Sequence, residues 1–472
     1  MTVKEFVERV RSGLPYTPNN QQSLVIEALV RFVSPARIAG EACSRDRVFV
    51  LNGYAGTGKT SLVGALVKAL ASVGIGTVLM APTGRAAKVF SANAGAAAYT
   101  IHRRIYRHSL NGQPPALAEN HNADTVFIID EASMISARDE GGGLNLLRDL
   151  IHYVYAGRGC RMILVGDTAQ LPPVGDSDSP AMDTGLLRQY GLSVSSATLT
   201  QVARQEAMSG ILANATWQRR AMRMDPMPKP KIFTAGYDDV TTVYSDDLFE
   251  VIDTAYRTAG IDRTIVITRS NKRAADFNRA IRTDVLYLDE ELVAGDLLIV
   301  AKNNYYWSKG VKGMDFVANG DIVAVQRVHG TERRYGLRFA DVTLAIPDSD
   351  IVYEAKVLLD TLSSDAAALD AVGMRILYDG VMTDPAIFSS DTPWEERLKI
   401  LRNNPYWNAL QVKYAYAVTC HKAQGGQWEN VIVDMTYIAP ESIGLEFYRW
   451  LYTATTRARN HLYILGVLDD HY

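Results

Sequence analysis

Residues 53–60 read GYAGTGKT, and their types and spacing suit the binding of phosphate groups. Glycines let backbone N–H groups converge on phosphate oxygens, and a helix that starts directly after the loop adds its positive end. Lys59 would reach the β- and γ-phosphates, and Thr60 would hold Mg²⁺. The pattern therefore predicts an ATP site with Mg²⁺ as its metal. The predicted nucleotide-binding residues of the loop are Gly53, Ala55, Gly56, Thr57, Gly58, Lys59 and Thr60.

Two further polar groups stand where later apolar runs end. Asp130 and Glu131 follow the run VFII, and the carboxyl edge of a parallel sheet is where α/β proteins bind ligands. Asp130 can anchor Mg²⁺ and Glu131 can orient the attacking water, which favours hydrolysis over phosphoryl transfer. Gln170, in GDTAQLPPV, follows another apolar run, and its amide can hydrogen-bond the γ-phosphate or the water.

Two arginines complete the predicted catalytic set. Arg204 lies in TLTQVARQE and Arg457 in YTATTRARN, both far along the chain from the phosphate loop. An arginine neutralises the charge that develops on the transferred phosphoryl group. If it comes from a second domain, bound ATP draws the domains together and hydrolysis lets them part. The two arginines therefore predict a motor.

Short apolar runs followed by motifs or helical patterns must position these residues. Such runs are typical of buried parallel strands, so the sequence predicts an α/β protein with a doubly wound sheet. A second series of runs predicts that this architecture occurs twice. The runs are 48–51, 77–80, 126–130 and 162–166, then 264–268, 430–435 and 461–466.

An alternating stretch from 319 to about 410 predicts a β-rich insertion with a helical appendage, and the Asn-Gly pair in IYRHSLNGQ predicts a hairpin.

Composition narrows the class of protein. The 472 residues suggest about three domains. The net charge of -3 means that a nucleic-acid partner would have to meet a local basic groove. The three cysteines lack a metal-binding spacing and fit reduced thiols, so we expect a cytoplasmic protein. The N-terminus does not read as a secretory signal, and no apolar stretch is long enough to span a membrane.

Taken in order, these motifs resemble those of superfamily 1 DNA helicases, specifically the RecD/Dda-like branch. The resemblance runs from about residue 16 to residue 468. It includes TPNNQQ, APTGRAAK, TIHRRIY, DEAS, GDTAQLPPV, LTQVARQ, ITRSNKRAADFNRAIR, YAVTCHKAQGGQWENVIV and LYTATTRAR.

The resemblance implies two RecA-like parallel-sheet domains that form an ATP cleft. The first covers 1–193, with a pin hairpin at about 99–122. The second covers 194–320 and 411–472, and a β-barrel-like insertion occupies 321–410.

The resemblance also implies which residues line the ATP cleft: Lys59, Thr60, Asp130, Glu131, Gln170, Arg204 and Arg457. Gln22 best fits the glutamine that reads adenine in this family, although Gln21 is chemically as good. Many members contact the ribose with a glutamate where this chain has Gln427.

A strand of nucleic acid requires phosphate contacts and flat groups on which bases stack. Basic and aromatic residues are interleaved in TIHRRIYRH, as such a surface requires. The predicted contacts are Thr83, Arg85, His102, Arg103, Tyr106, Thr419, His421 and Gln424, and Trp307, Tyr414 and Trp428 are candidate stacking platforms.

The predicted function is that of an ATP-driven helicase, which moves on single-stranded DNA and unwinds duplex at single-strand/double-strand junctions. Kinship alone implies 5′-to-3′ movement. We expect a monomer, with replication or repair proteins as candidate partners. RNA or an RNA/DNA hybrid is the alternative substrate, because such a track need not detect the 2′-hydroxyl. A P-loop phosphotransferase and an inactive clamp on nucleic acid are the remaining alternatives.

Overall fold

A computed structural model describes residues 2–34, 47–107, 116–139, 144–202, 209–314, 316–347, 349–366, 368–389 and 391–466. Arg204 and the tip of the predicted hairpin lie outside these residues. The chain forms two compact units. The first comprises Met1–Asp238, Gln424–Gly426 and Pro440–Thr456, and the second comprises Asp239–Ala423, Gln427–Ala439 and Arg457–Tyr472. Over the described ranges, no helix combines the length and the apolar character needed to cross a membrane.

The first unit contains a six-stranded sheet in which all neighbouring strands are parallel. Its order is β3-β2-β6-β7-β1-β8, and the crossovers bring the ends of β1, β6 and β7 to one edge. The strand Val194–Leu199 pairs with Val48–Gly53, so the sheet continues past residue 193, where the sequence analysis ended the first domain. The strands are β1 Val48–Gly53, β2 Thr77–Ala81, β3 Ala98–Thr100, β4 Tyr106–Arg107, β5 Ala116–Leu117, β6 Val126–Ile129, β7 Arg161–Gly166 and β8 Val194–Leu199.

Helices cover both faces of this sheet, as the buried apolar strands require. Their apolar residues form two cores, one around Phe6, Ile26 and Leu66 and the other around Ile101 and Leu150. The helices are Val3–Ser12, Asn20–Val33, Lys59–Ser72, Gly84–Ala94, Ile101–Ile105, Leu146–Ala156, Thr184–Gln189, Gly210–Ala221 and Leu445–Thr455.

The predicted pin begins and ends as an antiparallel pair. Tyr106 is opposite Leu117, and Arg107 is opposite Ala116. The residues from 108 to 115, which include the Asn-Gly turn, lie outside the described part of the chain. This antiparallel pair lies within the segment 99–122, for which the pin hairpin stays a prediction.

The second unit repeats the parallel architecture with five strands in the order β16-β10-β17-β18-β9. This confirms the prediction of two parallel-sheet domains. Its strands are β9 Val240–Val243, β10 Thr264–Thr268, β16 Ala417–Thr419, β17 Trp428–Asp434 and β18 Ala458–Leu465. Its helices are Leu248–Ala259, Asn271–Ala280 and Cys420–Ala423, with a π-helical turn at Ile281–Val285.

A closed five-stranded barrel is inserted into the second unit. Three long strands come from the predicted insertion, but the barrel closes through β11 and β15, which lie outside or at the edge of 321–410. Closure removes the unpaired edges that a three-stranded sheet would expose. The helical appendage consists of Ala371–Met382 and Trp394–Arg402. The barrel strands are β11 Leu297–Val300, β12 Ile322–Arg334, β13 Leu337–Ala345, β14 Val352–Leu358 and β15 Leu410–Tyr414.

Candidate nucleotide site and nucleic-acid track

The GYAGTGKT loop connects β1 to the helix Lys59–Ser72. Gly58 has a φ of 80°, a left-handed conformation that glycine adopts without a steric penalty. The Lys59 ammonium donates to the carbonyl oxygens of Gly53 and, at 3.0 Å, of Tyr54. A Cβ at Gly53 would lie 2.8 Å from Cδ of Lys59, so the glycine leaves room for the lysine. The loop therefore has the backbone geometry and the cation of a phosphate-binding site.

The two glutamines of the TPNNQQ segment form hydrogen bonds within the protein, and Gln22 bonds to the phosphate loop. Gln22 is buried, and its amide donates to the Thr57 carbonyl at 3.0 Å while accepting from the Asn19 backbone at 2.9 Å. The side-chain oxygen of Gln21 accepts from the backbone of Thr200 at 2.8 Å. Both candidate adenine-reading glutamines thus have hydrogen bonds within the protein, and the contact of either with a base stays a prediction.

A buried tyrosine connects the phosphate loop to β7. The Tyr452 hydroxyl accepts from the Ala55 amide at 2.9 Å and donates to the Asp167 carboxylate at 2.6 Å. Burial, and next the negative charge of Asp167, raise the pKa of Tyr452 well above its ordinary value. The Arg219 guanidinium carbon lies 3.9 Å from the centre of the neighbouring Tyr54 ring. The helices Gly210–Ala221 and Leu445–Thr455 therefore support the loop.

Asp130 and Glu131 stand directly after β6, as the sequence predicts. Glu131 has a φ of 51°, which is uncommon for a residue with a side chain. Burial, and next the charge of Glu131, raise the pKa of Asp130 to about 7, while the Glu131 amide and the Lys59 ammonium act in the opposite direction. The two carboxylates and the lysine therefore interact electrostatically. Carboxylate and hydroxyl oxygens are hard ligands, so Asp130 and Thr60 fit Mg²⁺ accompanied by phosphate oxygens.

Gln170 is buried, and its side-chain oxygen Oε1 has no hydrogen-bond partner among the described residues. Buried polar atoms are nearly always paired, so this atom is suited to a ligand or a water molecule. The adjacent residue is held on both sides: the Leu171 amide donates to Thr453 Oγ1 at 2.8 Å, and its carbonyl accepts from Gln424 Nε2 at 2.8 Å.

Gln424 was predicted to contact nucleic acid, but its side chain is buried and faces Leu171. The following residue packs on the APTGRAAK motif. A Cβ at Gly425 would lie 3.0 Å from Ala86 Cβ and 3.3 Å from Thr83 Oγ1. Thr83 caps the helix Gly84–Ala94 by accepting from the Ala86 amide at 3.2 Å. Two predicted nucleic-acid motifs thus meet at Thr83, and Arg85 follows in the first turn of that helix.

The TIHRRIY segment forms the short helix Ile101–Ile105 and the first hairpin strand. Tyr106 is buried and donates to Asp149 at 2.8 Å, so its ring belongs to the core and not to an open stacking surface. The Arg103 guanidinium carbon lies 4.8 Å from the Tyr99 ring centre, and the His102 and Tyr106 rings are 5.8 Å apart. His102 and Arg103 therefore remain the candidates for a strand contact here.

The second unit carries the other predicted residues. Thr419 ends β16 and His421 is exposed. The Gln427 side chain accepts from Arg459 at 2.9 Å. Arg457 is buried. Burial raises the pKa of the Cys420 thiol to about 12, and the positive charge of Arg457 opposes this shift. These positions leave the predicted catalytic role of Arg457 and the ribose contact of Gln427 as proposals.

Three aromatic residues predicted as candidate stacking platforms have contacts within the protein. Trp428 is buried in the sheet. The Trp307 indole donates to the Asn408 carbonyl at 2.7 Å, and the Tyr414 hydroxyl donates to the Glu291 carbonyl.

Comparisons with known proteins agree with these motifs. The AAA domain family matches residues 36–224, and the UvrD-like helicase C-terminal domain family matches residues 414–465. The ATP-dependent DNA helicase dda of Enterobacteria phage T4 is 24% identical over 444 residues, which cover 87% of this chain and 92% of that protein. The ATP-dependent RecD2 DNA helicase of Deinococcus radiodurans is 35% identical over 173 residues, 36% of this chain and 21% of that protein. These matches support a superfamily 1 helicase of the RecD and Dda type.

The chain also resembles the uncharacterized protein MJ1519 of Methanocaldococcus jannaschii, at 24% identity over 89% of the chain. It spans only 37% of the length of MJ1519, and 21% of the length of RecD2. A solved structure of Pif1 helicase from Bacteroides, in complex with ADP-AlF3 and ssDNA, aligns over 95% of the chain and 92% of that structure, with 16% identity and a TM-score of 0.47.

The structure also brings together residues that the sequence motifs did not predict to interact. Tyr452 and Asp167 are 285 positions apart, so no local pattern links them. Tyr452 does lie within the LYTATTRAR motif, and Asp167 lies within GDTAQLPPV. An unexplained polar residue inside each motif was the available signal.

Proposed function

We propose that this chain is an ATP hydrolase that moves on single-stranded DNA and separates duplex ahead of it. The observation that carries the proposal is the pair of hydrogen bonds at Leu171. They place Gln170, the predicted sensor of the γ-phosphate, one residue from a contact with the HKAQG motif, predicted to bind DNA. A shift of Gln170 upon hydrolysis would therefore act directly on Gln424 and, through Gly425, on Thr83.

The residues around the phosphate loop would divide the work of hydrolysis. Lys59 would leave the loop carbonyls and bind the β- and γ-phosphates. Thr60 and Asp130 would hold Mg²⁺, which supplies neutralisation of phosphate charge when bound. Glu131 would accept a proton from the attacking water, and Gln170 Oε1 would accept a hydrogen bond from the same water. Arg204 and Arg457 would neutralise charge on the transferred phosphoryl group.

Nucleic acid would bind at the residues that the motifs predict to contact it. Thr83, Arg85, His102, Arg103, Thr419 and His421 would contact the strand, whereas buried Gln424 would position its neighbours. The relatives named ATP-dependent DNA helicases support DNA as substrate. The proposed 5′-to-3′ polarity rests on the resemblance to their branch.

The decisive experiment measures ATP hydrolysis and strand separation on partial duplexes with either a 5′ or a 3′ tail, made of DNA or RNA. We expect hydrolysis to rise when single-stranded DNA is added, and unwinding only of substrates with a 5′ DNA tail. Lys59→Ala serves as the inactive control. A rate of ATP hydrolysis that does not change when single-stranded nucleic acid is added would contradict the proposal. Preferential unwinding of substrates with RNA tails would establish RNA as the substrate.

The role of Arg457 is tested separately. Arg457→Ala should abolish hydrolysis while ATP binding persists, because the arginine acts on charge that develops during the reaction. Arg257→Ala is a matched control, since Arg257 is an exposed arginine of the second unit that pairs with Asp253. Retained hydrolysis in Arg457→Ala would favour a phosphotransferase-like site without this arginine.

A further inference from the structure

A small cavity in the second unit is lined by two lysines from different parts of the fold. Lys413 comes from barrel strand β15, and Lys422 comes from the helix Cys420–Ala423. The wall between them includes Thr419, at the end of β16, and Asn271, the first residue of the helix Asn271–Ala280. The barrel and the parallel sheet thus contribute to one pocket.

The polar contacts of both lysines are with neutral oxygens. The Lys413 ammonium donates to the carbonyls of Thr361, at 3.1 Å, and of Ser364. The Lys422 ammonium donates to the Asn319 side-chain oxygen at 3.3 Å. Within the described ranges, neither lysine forms an ion pair with a carboxylate. An ammonium group has three donors, so each retains hydrogen-bonding capacity for a ligand.

The charge of Lys422 also acts on Lys413. Burial, and next the positive charge of Lys422, lower the pKa of Lys413 to about 8, and the negative charge of Asp365 opposes this shift. Burial lowers the pKa of Lys422 as well. Two partly buried cations placed near each other without a paired carboxylate are unfavourable unless an anion joins them.

We propose that this cavity binds a backbone phosphate of the nucleic-acid strand, and that the barrel supplies one of its two cations through Lys413. The inference rests on the proposed function and extends the track from the sheet onto the barrel. The cavity has a volume of about 30 Å³, which is space for one or two water-sized groups such as phosphate oxygens. Thr419 and Asn271 line the same cavity, and a hydroxyl and an amide are suitable additional donors to a phosphate.

The test compares binding of a fluorescent single-stranded oligonucleotide by the parent protein, Lys413→Gln and Lys422→Gln across a range of salt concentrations. Each variant should bind about threefold or more weakly, and the slope of log affinity against log salt should fall by about 0.7, the value for one phosphate contact on a single strand. Lys399→Gln is the matched control, because Lys399 is an exposed lysine on the helix Trp394–Arg402 away from the cavity. It should match the parent in both measures.

Equal affinity and slope in the parent, Lys413→Gln and Lys422→Gln would overturn the inference. A parent protein that does not bind the oligonucleotide at all would instead overturn the proposed function. Inorganic phosphate provides the third arm. If it raises the unfolding midpoint of the parent but not of Lys413→Gln, while both bind the oligonucleotide equally, the cavity is a site for free anions and the inference fails.

Discussion

The amide of Ala55 donates its hydrogen bond to the hydroxyl of Tyr452, at 2.9 Å. One backbone donor of the phosphate loop is thereby satisfied by a side chain from a helix nearly four hundred positions away. Because the same hydroxyl donates to Asp167, the loop and the end of β7 share one buried group. The shape of the phosphate loop therefore depends on the docking of the helix Leu445–Thr455.

Tyr452→Phe should destabilise the protein, because it removes the donor to a buried carboxylate. Hydrogen bonds to charged groups are worth about 1.5–3 kcal/mol, whereas neutral ones are worth about 0.5–1.5 kcal/mol. Tyr448→Phe is the matched control: it lies on the same helix and donates to the neutral Pro228 carbonyl at 2.8 Å. Chemical denaturation should show the larger loss for Tyr452→Phe. Equal losses of unfolding free energy would mean that the hydrogen bond to the Asp167 carboxylate contributes no more stability than a bond to a neutral carbonyl.

Gln170→Leu should separate catalysis from stability. The substitution removes a buried, unpaired oxygen, so the free energy of unfolding should stay the same or increase. ATP hydrolysis should fall by about tenfold or more, since the proposed contact to the attacking water is lost. Gln424→Leu is the comparison for stability. The Gln424 amide donates to the Leu171 carbonyl, so the loss of this hydrogen bond should destabilise the protein. Normal hydrolysis by Gln170→Leu would remove this residue from the mechanism.

Asp130 should make the stability of the protein without Mg²⁺ and nucleotide depend on pH. Its pKa is raised from 3.8 to about 7, so folding penalises the ionised carboxylate. The penalty is absent below pH 3.8, grows as the pH rises towards 7, and is complete above 7. Asp130→Asn should therefore stabilise the protein at pH 8 more than at pH 5.

Unfolding midpoints of the parent and of Asp130→Asn at the two pH values provide the measurement for this prediction. Asp246→Asn, at an exposed position, serves as the control and should give the same difference at both. A stabilisation by Asp130→Asn that does not change with pH would contradict the assignment.

Gly425→Ala should impair the response to DNA. Gly425 has a φ of 74°, and an added Cβ would press on Ala86 and Thr83. We expect a stability loss of about 1–2 kcal/mol from the backbone conformation, together with weaker stimulation of hydrolysis by single-stranded DNA. Gly191→Ala has the same backbone cost, with a φ of 79° and no atom within 4 Å. It should lose stability alone. Weakened stimulation in both variants would show that general destabilisation is the cause.

The sequence was sufficient to predict features that depend on local pattern. The runs at 48–51 and 126–130 became buried parallel strands, and Lys59, Asp130 and Glu131 are placed at their ends. Each of these features has its cause within a few neighbouring residues, so the sequence carries the signal directly.

Features that depend on tertiary contacts could not be predicted. The strand Val194–Leu199 lies at the edge of its sheet and contains serine and threonine, so it lacks the continuous apolar run of the central strands. Tyr106 and Trp428 have the residue types of stacking platforms, yet only the packed structure shows that both are buried. The link from Tyr452 to Asp167 likewise depends on the folded chain.

The barrel is closed by β11 and β15, and β15 leads into β16 of the parallel sheet after only two residues. Excision of 321–410 would leave β11 and the remainder of β15 without most of their partners, and such exposed edges promote aggregation. Chimeras that exchange this barrel between related enzymes will therefore need their junctions near residues 296 and 415. The two strands that close the barrel, β11 and β15, are then transferred together with the insertion.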